Sequence, residues 1–274
     1  MTTSPELPTT DDLQSQLHQF DGLWRGGYYE GDPLDSLSAS SYQSIGYMSV
    51  LHATYLCCVK PFVDSSTTAL EIGPGRGAWT RAILAQHPRE VWCLDALSRE
   101  HNGFDEYVGR RENVHYFQVK DFLCNDLPDE HFDFLFSFGC FCHLSPTAIQ
   151  EYLRNLHPKL KSGAHAFVLV ADYDKYNRAV TDPIFNAERI VLMTPRNVVR
   201  RLWNRLASAA MQKKYPRSDW YLQDKNQGPE LAPGRFYHAG ASETSIVLRD
   251  LGYEVLDEDV STVFRDPIIH FRRP

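Results

Sequence analysis

The run Glu71-Ile72-Gly73-Pro74-Gly75-Arg76-Gly77 concentrates more chemical potential than any other segment of the chain. Its three alternating glycines let a backbone turn sharply and leave no Cβ between the amides and a ligand, while the first amides of a following helix face that ligand. Glu71 stands two residues before the first glycine, where a carboxylate accepts a hydrogen bond, direct or through water, from a cationic amine and would repel a pyrophosphate. Asp95, eighteen residues beyond Gly77, is spaced to take both hydroxyls of a ribose. Asp121 and Phe122 offer a carboxylate for an exocyclic amine and a ring beside a base, and Ala96, Ser137 and Phe138 complete the expected cofactor-binding set. The spacing Gly73-x-Gly75-x-x-Ala78 also satisfies the dinucleotide fingerprint, so an NAD-binding protein stands as a rival reading. Outside this constellation, His143, His238 and Asp172 are the candidates for proton transfer.

The elements that must position these residues follow an α/β rhythm. Residues 69–72 read as a strand, followed by the glycine turn and a helix through Trp79, Ile83 and Leu84. Residues 90–94, 114–119 and 132–138 are further strand-like runs, the last a continuous apolar run suited to a strand covered on both faces. A helix over about 146–156 and a turn at Lys161-Ser162-Gly163 lead into a fifth strand at 164–171. Strands alternating with helices imply a parallel sheet. The rhythm then breaks at 172–240, read as a substrate-cap insertion. It holds an amphipathic basic helix over about 196–214 and an aromatic loop with Trp220, Tyr221, Arg235, Phe236, Tyr237 and His238. A helix over 242–251, ended by Gly252, precedes strand-like runs at 253–262 and 267–271, four residues apart as in a hairpin. Ahead of the first strand, Trp24-Arg25-Gly26-Gly27-Tyr28-Tyr29 and an expected helix over 44–59 suggest a lid, or a plain cover for one sheet face. The reading is thus an N-terminal helical lid segment, 1–63, and one main domain, 64–274.

Bulk properties narrow the function. A chain of 274 residues with 43% apolar content can bury one large core, and a formal net charge of -7 gives no electrostatic footprint for nucleic acid. Cys57, Cys58, Cys93, Cys124, Cys140 and Cys142 lack the paired spacing of a zinc site and read as reduced core thiols. The first residues lack a basic and apolar leader, and no apolar run approaches the roughly 20 residues that span a bilayer. A cytoplasmic protein with no membrane partner is the expectation.

Glu71-x-Gly73-x-Gly75-x-Gly77, Asp95, Asp121-Phe122 and the run from Phe132-Asp133 to Phe138 resemble the ordered motifs of class I S-adenosylmethionine (SAM) dependent methyltransferases. The resemblance covers roughly residues 68–171 and the C-terminal helix and hairpin. It implies an α/β, Rossmann-like, seven-stranded mixed sheet with the last strand antiparallel. It also implies SAM across the carboxyl ends of the first strands and substrate above the fourth and fifth. Carried over by position, Glu71 faces the methionine end, Gly73, Gly75 and Gly77 line the cofactor, Asp95 holds the ribose, and Asp121 with Phe122 frames the adenine.

The acceptor is read from what surrounds the fourth strand. Residues 137–144 contain neither the Asn/Asp-Pro-Pro-Tyr/Phe sequence that holds an exocyclic base amine nor a Pro-Cys nucleophile, which disfavours DNA a second time. An alcohol attacking a sulfonium must lose a proton, and neutral imidazole is a suitable base near pH 7. His143 is the first candidate and His238 the second, with Asp172 to bind a substrate hydroxyl or orient a base. A divalent metal such as magnesium, shared by Asp172, Asp174 and a histidine, is a further option. The aromatic loop suits sugar rings, and the chain is similar to sugar and small-molecule O-methyltransferases. The expectation is methylation of a hydroxyl on a sugar, oligosaccharide or glycosylated small molecule. A small-molecule N-methyltransferase, an NAD-dependent oxidoreductase and a noncatalytic SAM-binding protein are the alternatives. Arg200, Arg201, Arg205, Lys213 and Lys214 on the basic helix meet an acidic substrate, solvent or a partner subunit, which leaves a homodimer open.

Overall fold

The computed structural model describes residues 16–37, 44–45, 48–181, 236–263 and 266–274. The basic helix and aromatic-loop residues Trp220, Tyr221 and Arg235 expected within the insertion lie outside these residues.

Seven strands form one sheet: β1 Thr68–Ile72, β2 Glu90–Asp95, β3 Val114–Gln118, β4 Phe132–Ser137, β5 Leu160–Leu169, β6 Glu254–Asp257 and β7 Ile268–Arg272. Their order is β3-β2-β1-β4-β5-β7-β6, with β7 antiparallel to both neighbours and the rest of the central ladder parallel. This is the Rossmann-like mixed sheet expected. β1 is buried at every position because strands flank it and helices cover both its faces. Leu70, Ile72, Leu94 and Leu135 enter one core, and Ala69, Cys93, Phe134 and Phe136 enter the other. A period of two in a strand covered on both sides explains why its sequence is apolar without alternation.

The helices are α1 Val50–Thr54, α2 Ala78–Leu84, α3 Phe104–Val108, α4 Pro146–Leu156, α5 Tyr173–Thr181 and α6 Ala241–Asp250. Helix α4 starts where Ser145, in extended conformation before Pro146, accepts a hydrogen bond from the Ala148 amide. Ser145 also ties the N-terminal segment down, since Gln16 Nε2 donates to its Oγ (2.8 Å) and its amide donates to Gln16 Oε1 (3.0 Å).

Three expectations change in detail. The helix expected over 44–59 is a two-residue antiparallel ladder, Ser44–Ile45 with Met48–Ser49, followed by α1 and a wider turn over Tyr55–Val59. Ser49 is extended and donates its amide to Ser36 O, which holds the chain out of the helix until Val50. The turn at Lys161-Ser162-Gly163 lies inside β5, whose register against β4 slips between Leu160 and His165. Beside that slip, Phe132 and Phe134 enter different cores despite their even spacing. In the C-terminal hairpin β6 stops at Asp257, because Asp257 and Asp259 each turn the chain by accepting the amide two residues on, so the connection is longer than four residues.

Candidate functional site

The glycine turn leaves β1 at the carboxyl edge of the sheet and is held from two sides. Gly73 donates to Leu94 O (2.7 Å), and Asp95 accepts from the Gly75 amide (3.0 Å) and the Leu97 amide (2.8 Å). Gly73 has φ +72, and a Cβ there would sit 2.4 Å from Cys140 Cβ. Glycine is therefore required by both backbone conformation and the close approach of the chain after β4. Gly77, at φ +102, would drive a Cβ into Val108 at 2.2 Å, so its role is to pack α2 against α3.

A pocket of about 770 Å³, counting its open mouth, lies over this turn. Among the predicted residues it brings together Gly73, Gly75, Asp95, Ala96, Phe138 and His143. Others stand apart from its wall. Glu71 lies beneath the turn, 2% exposed, accepting from Thr80 Oγ1 at 2.6 Å. Ser137 is spent on Ile72 O. Phe122 is buried edge-on against Tyr152, and Asp121 accepts the Leu123 amide in a local turn. The pocket's inner wall there is Leu97, Val119 and Tyr152 instead.

His143 sits on a short 3-10 turn after β4, Phe141–His143, 9% exposed. Its ring is faced by Trp24 at 5.5 Å, Phe20 at 6.0 Å and, edge-on, Phe236 at 4.6 Å. His238 Nδ1 accepts from the Tyr173 amide (3.0 Å). Asp172 accepts from the amides of Lys175 (2.9 Å) and Ala241 (3.0 Å), so it caps the starts of both α5 and α6. Burial raises its pKa, but these amides and nearby His238 outweigh burial and hold it below the ordinary carboxylate range. Among the described residues no group of three His, Cys, Asp or Glu is arranged to hold a metal ion.

Sequence reasoning missed the part of the pocket built by residues 16–37. Leu17, Phe20, Trp24, Tyr28 and Glu30 all line it. This segment is fastened to the glycine turn: Arg76 donates its amide to Tyr28 O (3.2 Å), and Gly26 donates its amide to His101 O (2.9 Å). The Trp-Arg-Gly-Gly-Tyr-Tyr stretch was the visible signal, since paired glycines beside aromatics allow close backbone contact.

Three buried acids surround the turn. Burial pushes Glu71 up to about 8, Glu30 to about 7 and Asp95 to about 6, with Glu30 and Asp95 each adding to the Glu71 shift. Unfolded, these groups titrate near their ordinary values, so above them the folded chain holds protons that the unfolded chain has lost, and stability falls as pH rises toward 8. The partly buried histidines His157, His165 and His270 are shifted down, chiefly by desolvation, and act in the opposite sense. Comparing wild type with Glu71→Gln at each pH cancels them. The variant's melting temperature should gain on wild type by on the order of 5 °C between pH 6 and pH 8.5. A constant difference across that range would show that Glu71 is not a strained carboxylate.

The residues fit SAM better than a dinucleotide. Two wall carboxylates, Glu30 and Asp95, suit a ligand carrying a sulfonium and an ammonium, and the Asn102 Oδ1 in the wall is a buried acceptor without a hydrogen-bond partner. Comparisons with known proteins agree. Residues 69–163, which carry the glycine turn, Asp95 and His143, match the family described as "Methyltransferase domain". Among solved structures, an S-adenosylmethionine dependent methyltransferase from Mesorhizobium loti aligns with a TM-score of 0.51 and 16% identity, over 82% of this chain and 98% of that one. The N-methyltransferase NodS from Bradyrhizobium japonicum aligns with a TM-score of 0.47 and 15% identity, over 81% and 94%. No curated protein sequence matches the chain. The sheet order is that of the class I methyltransferase fold, and residues 69–163 carry the matched methyltransferase domain. The protein is an enzyme whose cofactor is SAM, and the dinucleotide reading gives way to it. Among the described residues no helix is long and apolar enough to cross a membrane.

Proposed function

We propose that the protein is an O-methyltransferase acting on a hydroxyl of a sugar, oligosaccharide or glycosylated small molecule. One observation carries the reading: a nine-tenths-buried imidazole, His143, lines the same pocket as Gly73, Gly75 and Asp95. In this reading Gly73, Gly75, Asp95, Ala96 and Phe138 hold the cofactor, with Glu71, Gly77, Ser137, Asp121 and Phe122 supporting that wall from behind. Bound SAM supplies an activated methyl group. His143 accepts the hydroxyl proton as the oxygen attacks, and its aromatic neighbours Phe20, Trp24 and Phe236 keep water away and orient the acceptor ring. Asp172 and His238 then fix the chain after β5 as the opposite wall. Residues 1–63 serve as the lid and 172–240 as the cap.

The same aromatic faces favour a second reading, a small amine acceptor, because ring faces attract a cation. Titration with SAM, S-adenosylhomocysteine and NAD, followed by an acceptor screen read by S-adenosylhomocysteine release, separates the two. Micromolar binding of the adenosyl ligands and release with neutral sugars or glycosides supports O-methylation. Release with amines alone overturns it.

A further inference from the structure

We propose that Glu30, carried by the N-terminal segment, accepts a hydrogen bond from the α-ammonium group of SAM. The residue is 8% exposed and lines the pocket over the glycine turn. Glu71, the acid that precedes the turn, is engaged by Thr80 Oγ1 and lies outside the pocket wall.

Position along the sheet says which end of the ligand Glu30 meets. Asp95 ends β2, on one side of β1. Glu30 lies next to Trp79, whose ring packs against Phe136 and Phe138 of the β4 side at 4.8 Å each. A ligand whose ribose is held by Asp95 and which crosses β1 toward β4 brings its amino-acid end to Glu30. The Trp79 indole N–H is buried beside this carboxylate and favours its charged form, but a neutral donor does not neutralise the charge. Nor do the arginines of the glycine turn and α2. Arg76 lies over the rings of Tyr29 and Tyr107, and Arg81 lies over Tyr107 and pairs with Asp32. No lysine or arginine is among the described residues of the pocket wall. Burial raises the pKa of Glu30 to about 7, which marks a carboxylate short of a cation.

The inference rests on the cofactor placement of the preceding section. Its test is titration of wild type, Glu30→Gln and Asp95→Asn with SAM, S-adenosylhomocysteine and methylthioadenosine, which keeps the adenosyl thioether but lacks the amino-acid part. Glu30→Gln should weaken SAM and S-adenosylhomocysteine alike by roughly tenfold or more and leave methylthioadenosine within twofold. Glu30→Asp should restore part of the loss. Unchanged S-adenosylhomocysteine affinity overturns the proposal, as does equal loss of methylthioadenosine, which would mark a structural role. Weakening of SAM alone would place the carboxylate at the sulfonium and overturn it too. If Asp95→Asn leaves all three ligands unaffected, the cofactor placement itself fails.

Discussion

His143→Phe is expected to lower kcat by roughly 10²–10⁴ while SAM affinity stays within about threefold. Phenylalanine keeps a ring among Phe20, Trp24 and Phe236, whose centroids lie 4.6 to 6.0 Å from the imidazole, and removes only the proton acceptor. The loss should therefore appear in turnover and not in folding. His143→Ala also removes packing and should lose stability as well. A log kcat that rises with pH in the wild type and is flat in His143→Phe would identify the imidazole as the titrating base. Turnover within about threefold of wild type, with a hydroxyl acceptor, would remove His143 from the chemistry and move attention to His238 or to an amine acceptor that needs no base.

Gly73→Ala should weaken SAM binding by roughly a hundredfold or more and destabilise the fold by about 3 kcal/mol. Two costs add. An L residue at φ +72 occupies the left-handed region, and the new Cβ would stand 2.4 Å from Cys140 Cβ and 2.8 Å from its sulfur. Cys140 precedes the turn that carries His143, so relief of the clash moves His143 as well as the floor of the pocket. Cys140→Ala cannot cure the clash, because the Cβ remains. The double variant Gly73→Ala with Cys140→Gly removes it but keeps the backbone cost, and should regain most of the stability and part of the affinity. Titration calorimetry and thermal melts read both quantities. A Gly73→Ala protein that binds SAM within threefold of wild type would show that the turn is not the cofactor's seat.

Local pattern determined much of this architecture. The apolar run at 132–138 declared a strand covered on both faces, the α/β rhythm placed a helix over about 146–156, and alternating glycines declared a turn that approaches something closely. These are short-range properties, because strand period, helix capping and left-handed backbone are decided within a few residues. The register slip in β5 and the early stop of β6 were illegible for a related reason. They depend on the partner strand and on side chains bonding to backbone, which compete with the ladder.

The pocket wall was legible only in part, because burial is decided by what the chain folds against. Glu71 looked like the ligand-facing acid from its place before the turn, yet Thr80, nine residues on, receives its carboxylate beneath the sheet edge. Asp172 looked like a site acid, yet two helix starts take its oxygens. Conversely, Glu30, Trp24 and Phe20 carried no recognisable spacing to the glycine run. They reach it only because Tyr28, Gly26 and Gln16 hydrogen-bond across about fifty to a hundred and thirty residues of sequence. The sequence by itself determined the Rossmann-like sheet and the glycine turn at its edge, since the turn resides in one contiguous βα unit. Which acids line the pocket, and what surrounds His143, were decided by long-range packing of the N-terminal segment over that unit, where sequence spacing carries no metric.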